Sequence, residues 1–364
     1  MRFIHSGNAC GWLSFVFSLT FFALACATDS ATLTTSNIAS LAWDLKTTNS
    51  TQQFRGLAPV SDRVCWVSGT KGTVLRTING GATWANVSPA LTPEDAITTE
   101  FRDIHAFSPD TAVVLSIGEG NASRIYRTDD GGRSWHLTFV NSEPTAFYDC
   151  MAFQDTRTGL AMSDPVDSKF RILRTDDGGA NWTIVPSAGM PAALAGEFGF
   201  AASGTCLTAA AGRWYLASGG IDPGRIFASP NGVDWHVSNS SIDGGEAGGV
   251  FSVQFRNRMV GVAVGGDYQN ATKRTNNAAW SEDGGLVWNR AVKFPAGYRS
   301  AVSWIPGVGA AAVAVGTTGS DITFDGGRAW FSFDNGTFDA VQCLYPFTCW
   351  ASGSKGRVAR LTLA

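Results

Sequence analysis

The sequence predicts an all-β protein that folds as a single seven-bladed β-propeller. A phrase made of a hydroxyl residue, any residue, Asp or Asn, Gly and a terminal Trp returns six times, and its tryptophans lie 42 to 53 residues apart. Repetition at this period is typical of a modular array whose unit has the length of a propeller blade. The composition agrees, because 42 Gly and 13 Trp in 364 residues supply many turns and many aromatic side chains to fill the space between sheets.

The repeated phrase has the chemistry of a tight hairpin turn. In the first copy, from Thr77 to Trp84, the Asn79 side chain can accept hydrogen bonds from backbone N–H groups ahead of it, and Gly80 supplies a positive φ angle. The Asp or Asn of the six copies is Asn79, Asp130, Asp177, Asn231, Asp283 and Asp325. We therefore expect these six residues to stabilise turns and not to bind a ligand.

Seven blades follow from aligning the apolar segments that precede the phrases. The inner strands should begin near Phe54, Phe101, Phe147, Phe200, Phe251, Arg299 and Phe338. The last blade, Phe338 to Leu363, lacks the phrase and an outer strand, whereas Leu41 to Leu45 is a spare apolar segment at the other end. Pairing the two would close the ring and hide open sheet edges, so the propeller should span residues 41–364.

Residues 1–27 are expected to be a signal peptide, with residues 28–40 as an N-terminal extension. An apolar run from Gly11 to Ala25 precedes small residues suited to cleavage before Thr28. The run is short for the ~20 residues of a membrane span, so an anchor is the weaker alternative. A second alternative is a lipid anchor on Cys26. In each case the propeller is exported, and a secreted protein is expected.

Sequons and cysteines fit an exported glycoprotein. The Asn-x-Ser/Thr sequons are Asn49, Asn86, Asn121, Asn181, Asn239, Asn270 and Asn335, although a chain this rich in Ser and Thr also produces such matches by chance. Five cysteines follow the predicted cleavage site, so at least one is unpaired within a monomer. Cys343 and Cys349 are spaced to join the two strands of a hairpin by a disulfide.

The phrase resembles the Asp-box, or bacterial neuraminidase repeat, which forms the turn between the third and fourth strands of a propeller blade. Phe54 to Leu57, Trp66 to Gly69 and Thr77 to Trp84 are similar to the photosystem II stability and assembly factor group. Further segments look like exported bacterial and fungal relatives of that group: Ser163 to Asp167, Phe200 to Cys206, Gly265 to Tyr268, and Tyr298 to Val302. The resemblance implies a propeller fold and a non-enzymatic scaffold; a photosynthetic role does not transfer to an exported chain.

A ligand site should lie on the face opposite the repeat turns. That face carries the loops between second and third strands and the entries into the inner strands, where residues differ from blade to blade. The predicted ligand-binding residues are Arg55, Arg102, Asp149, Asp164, Glu197, Asp267, Tyr268 and Arg299. The competing interpretation is a polar channel whose arginines and carboxylates satisfy one another.

Two function classes remain open. The first is a non-enzymatic propeller that binds or scaffolds a protein or glycan at the channel mouth. The second is a glycoside hydrolase, for which Asp149, Asp164, Glu197 and Asp267 are the candidate carboxylates, about 5–5.5 Å apart for retention or 6.5–9.5 Å for inversion. A sialidase would instead need Arg55, Arg102 and Arg299 as a three-arginine clamp beside a Tyr nucleophile such as Tyr148, Tyr268 or Tyr298.

Other chemistries find little support in the sequence. It has no Gly-rich dinucleotide fingerprint and no Cys/His spacing for a metal, so neither a cofactor nor a metal is predicted. A formal net charge of −3 gives no basic excess for nucleic acid. A monomer with an unidentified protein or glycan ligand is expected.

Overall fold

The computed structural model describes residues 35–363, and these form a ring of seven four-stranded antiparallel sheets. The predicted signal peptide, most of the predicted extension and Cys26 lie outside the described residues. From the channel outwards, blades 1 to 3 comprise Phe54–Pro59, Cys65–Gly69, Val74–Thr77 and Ala85–Asn86; Phe101–Ala106, Ala112–Ser116, Arg124–Thr128 and His136–Val140; Tyr148–Phe153, Gly159–Val166, Lys169–Thr175 and Thr183–Ile184.

The remaining blades follow the same order. Blades 4 to 7 comprise Leu207–Ala210, Arg213–Ala217, Arg225–Ser229 and His236–Asn239; Gly248–Phe255, Gly261–Asp267, Ala278–Ser281 and Asn289–Arg290; Ala301–Trp304, Ala312–Gly316, Gly319–Thr323 and Phe331–Asp334; Ala340–Leu344, Thr348–Ser352, Val358–Leu363 and Leu41–Lys46. Helical turns are short: Thr35–Ser40, Pro93–Thr98, Gly120–Ala122 and Ser187–Gly189. Within residues 35–363, no helix has the length and apolar character needed to cross a bilayer.

The ring closes as the sequence predicts. Leu41–Lys46 runs antiparallel to Val358–Leu363 and supplies the outer strand of blade 7, with Leu41 opposite Leu363. Trp43 packs between blades 6 and 7 against Phe338, and its Nε1 donates to Ser320 Oγ at 2.9 Å. The closing strand is therefore held by a backbone ladder and by a buried aromatic side chain.

Two faces of the ring follow from this strand order. The entry face carries the segments that lead into each inner strand and the loops between second and third strands, such as residues 70–73 and 268–277. The turn face carries the six repeat turns and the turns between first and second strands, such as residues 60–64. The inner strands line the channel that joins the two faces.

The repeat turns are closed by side chains of the phrase itself. Asp130 Oδ1 accepts from Ser134 N at 2.9 Å, and Asp130 Oδ2 accepts from Ser134 Oγ at 2.6 Å. Thr128 Oγ1 accepts from Gly132 N at 2.9 Å. These donors hold the pKa of Asp130 down to about 2, so the carboxylate is ionised at neutral pH.

Replacing Asp130 by Ala should lower the melting temperature and leave ligand binding intact. The change removes the acceptor that closes one repeat turn, and this turn lies on the face opposite the predicted site. Differential scanning fluorimetry of Asp130→Ala beside Asp62→Ala, an exposed turn-face aspartate, would measure the effect. An equal shift for both variants would contradict the structural role of Asp130.

Blade 4 departs from the predicted alignment. Its inner strand is Leu207–Ala210 and does not start near Phe200. A single bridge joins Phe198 to Gly219, after which residues 199–206 leave the sheet, and pairing resumes where Ala217 N donates to Cys206 O at 2.7 Å. We call residues 199–206 the channel segment, because its contacts cross the centre of the ring.

Two disulfides lie in the propeller. Cys150, on the inner strand of blade 3, is joined to Cys206 at the end of the channel segment, and Cys343 is joined to Cys349 across the first hairpin of blade 7. Cys65 is the free cysteine among residues 35–363, and burial raises the pKa of its thiol well above the usual range. The thiol is therefore protonated and enclosed.

Candidate functional site

Four β-bulges occupy equivalent positions at the entry ends of the inner strands. The register shifts between Phe54 and Gly56, Phe101 and Asp103, Tyr148 and Cys150, and Val250 and Ser252. The four residues at these shifts are Arg55, Arg102, Asp149 and Phe251. Bulges re-aim a side chain out of the regular pleat and are frequent beside functional sites. We define the channel mouth as the region around these four side chains.

Arg55 is a half-buried cation that forms no ion pair or hydrogen bond through its guanidinium group with any described residue. Burial, and to a smaller extent the charge of Arg55, lowers the pKa of Arg102. Burial raises the pKa of Asp339, and the charge of Arg55 partly offsets this rise. Arg102 is held from two sides: Nε donates to Glu100 Oε2 at 2.7 Å, and Nη1 donates to Ala201 O at 3.3 Å. The mouth therefore contains one satisfied arginine and one that is available to an acceptor.

Asp149 and Asp164 form a carboxyl pair beside these arginines. Burial, followed by the charge of Asp164, raises the pKa of Asp149 well above its usual range. Burial also raises the pKa of Asp164, to about 6, although Gly199 N donates to its Oδ1 at 2.7 Å. Burial and the neighbouring carboxyl therefore both oppose ionisation of Asp149, whose buried Oδ2 has no hydrogen-bond partner among the described residues.

An aromatic wall borders the mouth on the side of blades 4 to 6. Phe200 stacks on Phe251 with ring centroids 3.8 Å apart, and Tyr298 meets Phe251 edge-on at 4.7 Å. Tyr268 lies at the rim of this cluster and is 49% exposed. Aromatic side chains with one exposed partner are typical anchors of a binding surface.

The remaining predicted site residues are engaged elsewhere. Both carboxylate oxygens of Glu197 are bonded to Arg225, and they also accept from Ser218 Oγ at 2.6 Å and Leu194 N at 2.8 Å. Asp267 caps its own loop by accepting from Gln269 N at 2.8 Å. The mouth therefore gathers Arg55, Arg102, Asp149, Asp164 and Tyr268, but Glu197 and Asp267 do not join them.

Arg299 is also outside the mouth. It is fully buried in blade 6, where Nε donates to Asp321 Oδ2 at 2.6 Å and Nη1 donates to Thr318 Oγ1 at 2.8 Å and to Tyr298 O at 2.7 Å. The expectation that it converges with Arg55 and Arg102 is therefore wrong, because its side chain pairs with Asp321 on the third strand of its own blade.

Sequence reasoning missed four residues of the mouth region. The sequence predicts Phe200 and Phe251 only as strand starts, and it does not single out Glu100 and Asp339. Phe251 occupies the position of Arg55 and Arg102 when the inner strands are aligned, so blade alignment could have found it. No comparable signal marks Phe200, because the channel segment leaves the repeat.

The channel segment closes the channel between the two faces. Ser203 Oγ donates to Ser300 O of blade 6 at 2.9 Å, and Thr205 Oγ1 donates to Ser252 Oγ of blade 5 at 2.7 Å. On the opposite side, Gly204 packs against Asp103 of blade 2, where a Cβ atom would lie 2.3 Å from Oδ1. The segment thus also reaches blades 2 and 6, which are not neighbours of blade 4, and it lies between the two ends of the channel.

Asp103 lies below the channel segment and gives the protein a specific pH dependence. Burial raises the pKa of Asp103 to about 8, although Met151 N donates to its Oδ2 at 2.6 Å. The folded protein keeps this proton between about pH 4 and pH 8, where the unfolded chain loses it. The free energy of unfolding should therefore fall as pH rises through this range and level off above about pH 8.

Asp103→Asn should remove this dependence, because an amide cannot ionise and can still accept from Met151 N. The difference in unfolding free energy between variant and parent should shift in favour of the variant from about pH 5 to about pH 8. Urea unfolding across this range measures it, and the other buried carboxyls cancel because both proteins contain them. Parallel pH profiles would contradict the assignment.

Metal binding finds no candidate in the part of the chain that the structure describes, since no three His, Cys, Asp or Glu side chains are grouped to hold an ion.

Comparisons with known proteins agree with this architecture. A family model described as the photosynthesis system II assembly factor YCF48 matches residues 35–196. A search of curated proteins gives no significant match. Among solved structures, YCF48 bound to D1 peptide is similar with a TM-score of 0.64 at 16% identity, covering 88% of this chain and 95% of that one.

Two further solved structures share the fold. YCF48 from Cyanidioschyzon merolae is similar with a TM-score of 0.63 at 13% identity, covering 88% of this chain and 98% of that one. The WD40 β-propeller domain of Doa1 gives a TM-score of 0.58 at 9% identity, covering 89% and 97%. The predicted resemblance to the photosystem II assembly factor propellers and the predicted seven-bladed fold are both confirmed.

Proposed function

We propose that this chain is an exported, non-enzymatic propeller that binds a protein partner at the channel mouth of its entry face. The observation that carries the proposal is Arg55, a half-buried guanidinium with no ion-pair or hydrogen-bond partner among the described residues. It lies near Tyr298, in an aromatic cluster whose exposed member is Tyr268. A guanidinium binds carboxylates with paired, charge-assisted hydrogen bonds, and aromatic anchors bury apolar side chains. The partner should therefore present a carboxylate next to an apolar residue.

A protein ligand also has support from a relative of the same fold. The solved YCF48 structure is a complex with a D1 peptide, so a propeller of this architecture can bind a peptide. At 16% identity this likeness transfers the fold and not the ligand.

Hydrolysis of glycosides is less well supported by the geometry. Burial raises the pKa of both Asp149 and Asp164, which disfavours the ionised carboxylate that a glycosidase uses as nucleophile or base. The other two candidates, Glu197 and Asp267, are occupied by internal hydrogen bonds. A sialidase clamp lacks its third arginine, because Arg299 is paired with Asp321.

Export is supported by two independent features of residues 35–363. Disulfides persist in oxidising compartments, and two are formed here. The asparagines of all seven sequons are exposed: Asn49, Asn86, Asn121, Asn181, Asn239, Asn270 and Asn335. Intact-mass and glycosidase-shift measurements on protein from the culture medium test cleavage near Thr28 and glycosylation, and unprocessed cytosolic protein would contradict export.

A peptide library tests the binding site. Peptides would be displayed with either a free or an amidated carboxyl terminus, and Arg55→Ala would be compared with Arg63→Ala, an exposed turn-face arginine that has no ion pair. We expect Arg55→Ala to weaken binding of carboxylate-bearing peptides about tenfold or more, since hydrogen bonds to charged groups contribute about 1.5–3 kcal/mol. Equal binding by the two variants would contradict the proposal, and selective loss of glycan binding on a parallel glycan array would replace the protein ligand with a glycan.

A further inference from the structure

The turn-face end of the channel holds a cavity of about 470 Å³ that the proposed function does not use. Its walls are the second halves of the inner strands, and its floor is the channel segment at Ser203 to Thr205. None of the channel-mouth residues Arg55, Arg102 and Asp149 lines it. Its volume lies within the range of about 300–1,000 Å³ that is usual for small-molecule sites.

The cavity wall contains polar side chains that the protein leaves unsatisfied. Thr208, Gln254 and Gln342 line the cavity, and their side chains form no hydrogen bond with any group in residues 35–363. Two amides and one hydroxyl together offer both hydrogen-bond donors and hydrogen-bond acceptors. Such a wall suits a ligand that itself alternates donors and acceptors.

The lining is uncharged at physiological pH except for Arg256. Burial raises the pKa of Asp103 to about 8 and lowers the pKa of His105 to about 4, so the carboxyl is protonated and the imidazole is uncharged. Arg256, at the edge of the cavity, donates from Nη1 to Gly309 O at 2.6 Å and is exposed. Away from this exposed guanidinium, the rest of the lining favours a ligand without charge, because an ion there would lose hydration without gaining a counter-charge.

An exposed aromatic ring lies next to the cavity lining. Tyr345 is 77% exposed, and its ring lies against the lining residue Gly307. Deeper in the cavity, His105 presents its edge while its ring packs between Phe107 and Phe153, each with centroids 4.7 Å away. An exposed aromatic ring supplies apolar area for the C–H face of a polar ligand at low entropic cost.

We propose that this turn-face cavity binds a neutral polyhydroxyl ligand of the size of a mono- or disaccharide. Thr208, Gln254 and Gln342 donate to and accept from its hydroxyls, Asp103 donates a hydrogen bond from the wall, and Tyr345 stacks at the opening. The site is independent of the channel mouth, because the channel segment separates the two ends of the channel.

Saturation-transfer difference NMR with a defined sugar panel tests the proposal. The probes are the methyl glycosides of glucose, mannose and galactose, N-acetylglucosamine and maltose, with N-acetylneuraminic acid as the charged comparison. We expect at least one neutral sugar to bind at millimolar concentration, and the double variant Thr208→Val, Gln342→Ala to weaken it about tenfold through loss of two to three hydrogen bonds. Arg55→Ala should bind the same sugar unchanged.

Three results would contradict the proposed site. Absence of transfer to every neutral sugar, or transfer retained by the double variant, overturns the proposal. Loss of transfer in Arg55→Ala places the sugar at the channel mouth and also overturns it. If the double variant does not fold, as judged by near-ultraviolet circular dichroism, Gln254→Leu provides the same test with one changed side chain.

Discussion

Arg299→Ala is expected to destabilise the protein by about 3–5 kcal/mol, the usual cost of removing one partner from a buried ion pair. Asp321 would then keep an unpaired carboxylate in a fully buried position, and Thr318 would lose its donor at 2.8 Å. Asp321 Oδ2 also accepts a hydrogen bond from Ala296 N at 3.2 Å, so the entry into blade 6 should loosen as well. Chemical unfolding at neutral pH measures the loss.

Arg55→Ala is the matched control for this experiment. It removes the same side chain from the same face of the ring, but Arg55 forms no ion pair within residues 35–363, so the unfolding free energy should change by no more than about 0.5 kcal/mol. Arg299→Ala should therefore lower stability, whereas Arg55→Ala should weaken binding. Equal stabilities for the two would contradict the division between structural and binding arginines.

Trp330→Ala should cost about 3–5 kcal/mol by opening a cavity between blades 5 and 6. Trp330 ends the repeat turn of blade 6, is 1% exposed and packs in a cluster with Val262 and Val302. Its Nε1 donates to Gly327 O at 3.1 Å, so the variant also leaves a carbonyl without its donor. Thermal and urea unfolding of the variant would measure both losses together.

Trp135→Ala separates burial from the repeat pattern. Trp135 occupies the same position in the repeat turn of blade 2, but it is only partly buried, where it meets Trp66 edge-on and donates to Val87 O at 2.7 Å. We expect a smaller loss than for Trp330→Ala, because less apolar surface is removed from the core. A larger loss for Trp135→Ala would show that the turn itself, and not burial, governs these tryptophans.

The two ends of the channel can be tested separately because the channel segment lies between them. Residues 199–206 bond to blades 5 and 6 and contact blade 2. They therefore cross and close the channel that the inner strands line. Gly204 has a φ of +74° and no room for a Cβ beside Asp103, which fixes glycine at the point of closest approach. Changes on one face should therefore leave the ligand of the other face unaffected.

Blade number, ring closure and turn position could be predicted from the sequence because each depends on local chemistry repeated at a fixed period. Asp130 closes its turn with residues no more than four positions away, and the spare strand at Leu41 is visible because every other blade shows four. The rim on which Arg55 and Arg102 lie follows from strand order alone. These features would survive in any chain with the same repeat.

The composition of the site was decided by tertiary structure. Arg55 and Arg299 have the same sequence context at the start of an inner strand, yet a bulge turns one into the channel mouth while the other pairs with Asp321. Phe200 matches the start of an inner strand but belongs to a segment that crosses the ring. Such cases depend on contacts between side chains of different strands and blades. A repeat pattern does not encode these contacts, because they differ from blade to blade.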